Sequence, residues 1–478
     1  MSEETLKEKT AKGLFWGGIS NGAQQILGLA FGIFLGRILS AEDYGLIAML
    51  AIFTGIANAI INSGFSVALT NKQHATQEDY NAVFWFSLFV GLALYIVLFF
   101  SAPLIARFYN RPELTALSRV IFISFFFSGV AVVPYTILFK RLMVKQQALI
   151  DITALFLSGL LGVTLAIQGF AYWAIALQNV VYITLSSSLR CVVSPWRPSF
   201  HIDFSPLKEF FSFSLKLFLT NIFQQIQYNF FSVLLAKLYN ATQAGYYSQG
   251  FQWAGKGNQL ISGMITQVAQ PVIVQVNDDP ERQLNVFRKI IRFISFIAFP
   301  AFLGLAFVAK EFIVIAIGDK WLPSVPFLQL FCVWAIACCM SVAYTYLLLA
   351  HGKSDVYMKI TIAVSLLQLL IVGCMYPFGL FPMVVAYLIT YIIGMLSWQY
   401  YAKKLIAFKF RDFIKDISPY FIISSGCIGI AWFATLRIEN IYMLILLKVM
   451  ITALLYAAMM KLSNAVIFQE LVSFLKRR

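Results

Sequence analysis

Apolar stretches long enough to cross a bilayer recur from one end of this 478-residue chain to the other, and no other feature restricts its possible folds so strictly. A hydrocarbon core about 30 Å thick takes about 20 apolar residues per helix. In lipid every backbone N–H and C=O must find its partner inside the protein, so helices or closed barrels are the only spanning structures. Runs of this length, rather than short alternating segments, predict helices. Composition agrees, because 60% of residues are hydrophobic and 12% charged, whereas a soluble domain carries about a quarter charged residues. The expected fold class is an all-α integral membrane protein.

Charges, prolines and polar clusters divide the chain into about fourteen spans, beginning near residues 14, 45, 81, 114, 148, 170, 209, 246, 288, 324, 357, 381, 417 and 441. The net charge of +15 lies between apolar spans rather than on one groove-reading face, which excludes a nucleic-acid partner. Assigned to alternate loops, Lys and Arg divide about 25 against 7 in favour of the side holding both termini, which makes that side cytoplasmic. The connecting segments are short, so the bundle itself must perform the function. The six cysteines lack CxxC or ligand spacing and the histidines lie in connections. Neither a metal site nor any other bound cofactor is therefore expected.

A shift of 200 residues sets Asn21, Gln24, Gln25, Ile26, Phe31, Leu35, Ala41 and Gly45 on Asn221, Gln224, Gln225, Ile226, Phe231, Leu235, Ala241 and Gly245. Tyr135, Thr136 and Leu138 match Tyr344, Thr345 and Leu347 at a slightly larger offset. Two six-helix lobes in parallel repeat are expected. They occupy residues 1–200 and 201–410, with an extra helix pair at 411–478 that resembles an appendage.

An amide or a lysine at membrane depth is expensive and must face protein or water. In the eighth span Gln249, Gln252, Lys256, Gln259, Gly263, Gln267 and Gln270 recur every three or four residues, on one helical face. Interhelical hydrogen bonding explains a single glutamine. A full-length stripe containing Lys256 points instead to a wet cavity wall. Asn21 and Gln24, with Gln25 beside them, mark the first span, and Asn58 and Asn62 the second. The seventh carries Asn221, Gln224, Gln225 and Lys216. These four helices are expected to line the space between the lobes. Arg119, near the outer end of the fourth span, ranks lower because snorkelling explains it. Intramembrane acids are scarce, with Asp151 almost the only candidate, so the cavity is expected to be cationic and to suit an anion.

Three motifs carry a resemblance. They are Gly36-Arg37-Ile38-Leu39-Ser40-Ala41-Glu42-Asp43-Tyr44-Gly45, Asn62-Ser63-Gly64-Phe65-Ser66, and Ala316-Ile317-Gly318-Asp319-Lys320-Trp321 leading into Pro326-Phe327-Leu328-Gln329-Leu330. In these the chain resembles the polysaccharide-transport branch of the multidrug/oligosaccharidyl-lipid/polysaccharide exporter superfamily, the Wzx-type flippases. The resemblance implies a fourteen-helix, two-lobe exporter in the bacterial cytoplasmic (inner) membrane. It implies a lipid-linked oligosaccharide substrate, with polysaccharide polymerase and assembly proteins as partners. Lys256, helped by Lys216, would hold the pyrophosphate and the amides would bond the glycan. Both Na+ and H+ stay open as coupling ions. A multidrug exporter of the same superfamily is the nearest rival, but twelve spans and acidic residues are expected of it. A membrane glycosyltransferase or polymerase would call for acidic residues at the membrane surface and a large outer loop.

Overall fold

A computed structural model describes the chain outside residues 1–5, 62–64, 73–74, 201, 209–220, 223–224, 226–228, 230, 232, 236, 276–278, 464–466 and 470–478. Among the described residues all regular structure is helical. Two compact units meet in sequence at Gly245 and Tyr246.

The first unit holds α1 (Leu6–Ile38), α2 (Ala41–Ile61), the short α3 (Phe65–Asn71), α4 (Gln77–Tyr109), α5 (Glu113–Phe122), α6 (Ser124–Lys140), α7 (Val144–Ile167) and α8 (Tyr172–Val193). Its helix starts follow from local chemistry. At the head of α2 the Asp43 carboxylate accepts from the Ser40 backbone N–H at 2.8 Å, and the Asp43 N–H donates to Ser40 Oγ at 3.2 Å. Thr76 and Asp79 make the same reciprocal capping box for α4. Asn110, at φ 55°, ends α4 in the left-handed region that asparagine tolerates.

Small residues set how closely helices approach. A Cβ on Gly91 of α4 would lie 2.5 Å from the Phe125 carbonyl oxygen, and one on Gly129 of α6 would lie 2.5 Å from that of Ser87. A second exchange joins α2 to the first turn of α9 (Ala241–Gln275). There a Cβ on Gly45 would lie 1.8 Å from the Ala241 oxygen, and one on Gly245 would lie 1.9 Å from the Ala41 oxygen. The 200-residue shift aligns Ala41 with Ala241 and Gly45 with Gly245, and the contacts run crosswise between those two aligned pairs.

The second unit continues α9 and adds α10 (Pro280–Phe307), α11 (Ala309–Ile317), a 3-10 segment (Asp319–Ser324), α12 (Val325–Ala350), α13 (Ser354–Met375), α14 (Leu380–Ile406), α15 (Phe410–Thr435) and α16 (Ile441–Leu462). α10 packs against α12 and α15, while α16 packs against α15 and α11. α15 and α16 therefore pack into the body of this unit. Two ion-pair systems described below join them to it.

Among the described residues ten helical segments are long and apolar enough to cross a membrane. α1, α8 and α9 have the length and fall at expected spans, but they are more polar. The span expected from residue 209 lies largely outside the described residues. In α16 polarity is inverted relative to a soluble helix, with Tyr442, Leu446, Met450 and Leu454 exposed and Lys448, Thr452 and Tyr456 buried. Only an apolar solvent makes that arrangement favourable.

Candidate functional site

The polar face predicted for the eighth span lies on α9, a 35-residue helix about 50 Å long at 1.5 Å per residue. Gln252, Gln259 and Gly263 are exposed along it and Lys256 is half-buried. The Lys256 ammonium lies over the Trp253 ring, 4.5 Å from its centroid, one turn earlier on the same helix. The aromatic face attracts the cation and covers one side of it. Gln252 Nε2 donates to Ser248 Oγ at 3.0 Å. Gln249 departs from the expected stripe, being 4% exposed. The side chains of Gln267 and Gln270 lie outside the described residues.

Another face of α9 bonds inward. Ser262 Oγ donates to Asn258 Oδ1 at 3.1 Å, and Asn258 Nδ2 donates to Cys338 Sγ on α12 at 3.5 Å. These polar groups serve helix packing, which leaves the Gln252–Lys256–Gln259 face as the candidate binding surface of the second unit.

In the first unit the amides separate into different environments. Asn21 of α1 is exposed, Gln25 is partly buried, and Gln24 Nε2 donates to Ser20 Oγ at 2.9 Å. Asn221 and Asn58 are partly buried. Gln225 pairs with Asn229, whose Nδ2 donates to Gln225 Oε1 at 3.1 Å. Both reach Gly55 of α2, where an added Cβ would lie 2.6 Å from Gln225 Oε1 and 2.9 Å from Asn229 Nδ2. The Gln225–Asn229 pair thus sits one turn from Asn58, and Asn229 is a neighbour the sequence reading passed over. Arg119 stands elsewhere, its guanidinium 4.4 Å from the Phe99 ring centroid on α4 and its Nε donating to the Phe99 oxygen at 3.4 Å. Lys216, Gln224 and Asn62 lie outside the described residues.

Several carboxylates are drawn into ion pairs inside the units. In the first unit Asp151 receives Arg190 at 2.5 Å. In the second, Asp416 is 2% exposed and binds two arginines. Arg288 donates through Nε and Nη2 to its two oxygens at 2.8 and 3.0 Å, and Arg292 Nε donates to Oδ1 at 2.7 Å. Near the opposite end of the same helix group Lys448 donates to Glu311 Oε1 at 2.8 Å. Lys448 also lies over the Phe307 ring, 4.5 Å from its centroid. A lone lysine in the apolar run of α16 was the available signal. Its partner was hidden by sequence distance.

The motif residues have structural work to do. Ser40 and Asp43 cap α2, and Gly45 makes the close contact with Ala241. Gly318, at φ 97°, turns the chain so that Trp321 is fully buried against Tyr246.

A family model described as polysaccharide biosynthesis protein matches residues 34–326. The chain is similar to the lipopolysaccharide biosynthesis protein WzxC of Escherichia coli K12, with 23% identity over 87% of this chain and 86% of that one. It is similar to the teichuronic acid biosynthesis protein TuaB of Bacillus subtilis 168, with 24% identity over 92% of each. Among solved structures, the lipid II flippase MurJ in an inward closed conformation shares the fold. Its TM-score is 0.76 at 16% identity, over 95% of this chain and 99% of that one.

Proposed function

The chain belongs to the polysaccharide biosynthesis protein family, and on that premise we propose that it flips undecaprenyl-pyrophosphate-linked oligosaccharide repeat units from the cytoplasmic to the outer leaflet. Alternating access is the mechanism proposed, in assembly of lipopolysaccharide, exopolysaccharide or capsule. The membrane is the bacterial inner membrane, with both termini cytoplasmic and a polysaccharide polymerase as the consumer of the product.

The observation that carries this reading is the Gln252–Lys256–Gln259 face on a membrane-length helix. A pyrophosphate and a string of sugar hydroxyls do not enter hydrocarbon unaided, because each unpaired polar group costs several kcal/mol there. A cationic, amide-bearing surface substitutes for water while the polyprenyl tail stays in lipid. Lys256 pairs with the pyrophosphate, assisted by Lys216, and Asn and Gln side chains bond the glycan. A dianion leaving a negative interior gains about 4 to 5 kcal/mol across 100 mV, so ion coupling is not energetically required. The buried acids Glu311 and Asp416 are engaged by Lys448 and by two arginines. That supports an anionic rather than an organic-cation substrate and leaves neither as a spare catalytic acid.

The test is movement of a labelled undecaprenyl-pyrophosphate oligosaccharide in proteoliposomes. Wild type should move it, and Lys256→Ala should slow it at least about tenfold without altering thermal stability. Equal movement by both proteins would discard Lys256 and keep the flippase. No movement by wild type across several glycans would overturn the reading.

A further inference from the structure

A long apolar groove runs between α14 and α15 in the second unit, with a volume of about 390 Å³. Leu396 and Ile392 form one wall, Ile414 and Ile417 the other, and Leu303 and Met340 the floor. Its most polar lining residue, Gln399, is 7% exposed and has a protein partner on each polar atom. Gln399 Oε1 accepts from the Tyr344 hydroxyl at 2.6 Å and Nε2 donates to the Phe408 oxygen at 2.9 Å. Nothing in the groove calls for water, so its ligand is hydrocarbon.

Length and charge identify which hydrocarbon. On α15 the lining runs from Phe410 to Phe421, about 16 Å along the helix, which is close to one leaflet's half of a core about 30 Å thick. The stripe Ile392, Leu396, Gln399 continues at helical spacing to Lys403. At that end stand Lys403, Lys404, Lys409, Arg411 and Lys415, all exposed and none paired with a carboxylate among the described residues. The α15 N-terminus opens there as well, with Lys409 at its cap position and no side chain bonding its first N–H groups. Partial positive charge from the helix end adds to the five cations. One end of a leaflet-deep apolar slot is therefore strongly anion-attracting.

We propose that this groove binds one acyl chain of an anionic bilayer phospholipid, whose phosphate rests among Lys403, Lys404 and Lys409. A polyprenyl tail of the carrier type is far longer than one leaflet and would overrun the slot. This site is separate from the α9 face and does not depend on the transport reading, because it is tested by binding alone.

The experiment is native mass spectrometry of the delipidated full chain, titrated with phosphatidylglycerol and phosphatidylcholine of identical acyl chains. Wild type should retain phosphatidylglycerol at least about tenfold more tightly, given that each basic residue near an anionic surface contributes measurably. Leu396→Trp, and separately Ile414→Trp from the opposite wall, should lower binding of both lipids about fivefold or more by filling the slot. The combined Lys403→Gln, Lys404→Gln and Lys409→Gln variant should bind the two lipids alike. If either tryptophan variant is not monodisperse, a phosphatidylglycerol with a photoreactive acyl chain should crosslink wild type within residues 392–421. Equal wild-type affinities, unchanged binding in folded tryptophan variants, or crosslinks confined elsewhere would overturn the proposal. Displacement of phosphatidylglycerol by equimolar undecaprenyl phosphate would overturn it too, by assigning the slot to the carrier lipid.

Discussion

Lys448 of α16 donates to Glu311 at the start of α11 across 2.8 Å, with side-chain exposures of 10% and 8%. Glu311 Oε2 is buried without a hydrogen-bond partner, so the pair is held by one strong contact. Removing one member leaves a buried charge uncompensated. Glu311→Leu or Lys448→Met alone should cost about 3 to 5 kcal/mol, while the two together should return to within about 1 kcal/mol of wild type. Unfolding of purified protein in mixed micelles gives the comparison. Simple additivity of the two single effects would show that the contact is not energetically coupled.

At the other end of the group, Arg288 grips Asp416 through two nitrogens. A planar fork makes that geometry and an ammonium does not. Arg288→Lys should therefore destabilise nearly as much as Arg288→Ala, by about 2 kcal/mol or more. Asp416→Asn should cost more than either, because it strands two arginines. Thermal midpoints in detergent test the order, and full retention of stability by Arg288→Lys would contradict the bidentate account.

Gly45 and Gly245 each press on the other's preceding helical turn at distances no Cβ tolerates. Gly45→Ala and Gly245→Ala should each destabilise by about 1 to 3 kcal/mol and reduce monodisperse yield. Gly28→Ala, where an added Cβ meets nothing within 4 Å, should be neutral or stabilising by up to about 1 kcal/mol. Equal yields for all three variants would remove the basis for the close contact.

Ser40→Ala should cost about 1 kcal/mol through loss of the α2 cap. Ser40→Asp should restore most of it, since a carboxylate caps as well as a hydroxyl. Helix-start protection in hydrogen exchange at residues 41–44 is the direct readout.

Much of the helical plan was legible because apolar run length is a local property and the bilayer enforces it. The α9 face was legible for the same reason, since Gln252, Lys256 and Gln259 lie within two turns. Gln249 broke the pattern because helical spacing gives direction on one helix and says nothing of what packs there. The ion pairs were not legible, because Asp416 and Arg288 stand 128 residues apart. No periodicity joins such positions. The burial of Asp416 and Glu311 was not legible either, since each looks like a connection residue until its helix is drawn around it.

Synthesis order gives the Glu311–Lys448 bond a further meaning. The two residues are separated by 137 positions, so at 5 to 20 residues per second the carboxylate is made about 7 to 27 s before its partner. Throughout that interval Glu311 lacks the Lys448 contact. α16 then supplies the cation that lets it settle, so the second unit cannot close around Glu311 until that helix has been made. A nascent protein stalled short of Lys448 would hold an unmatched acid, a feature by which membrane quality control can tell a chain without α16 from one that has it.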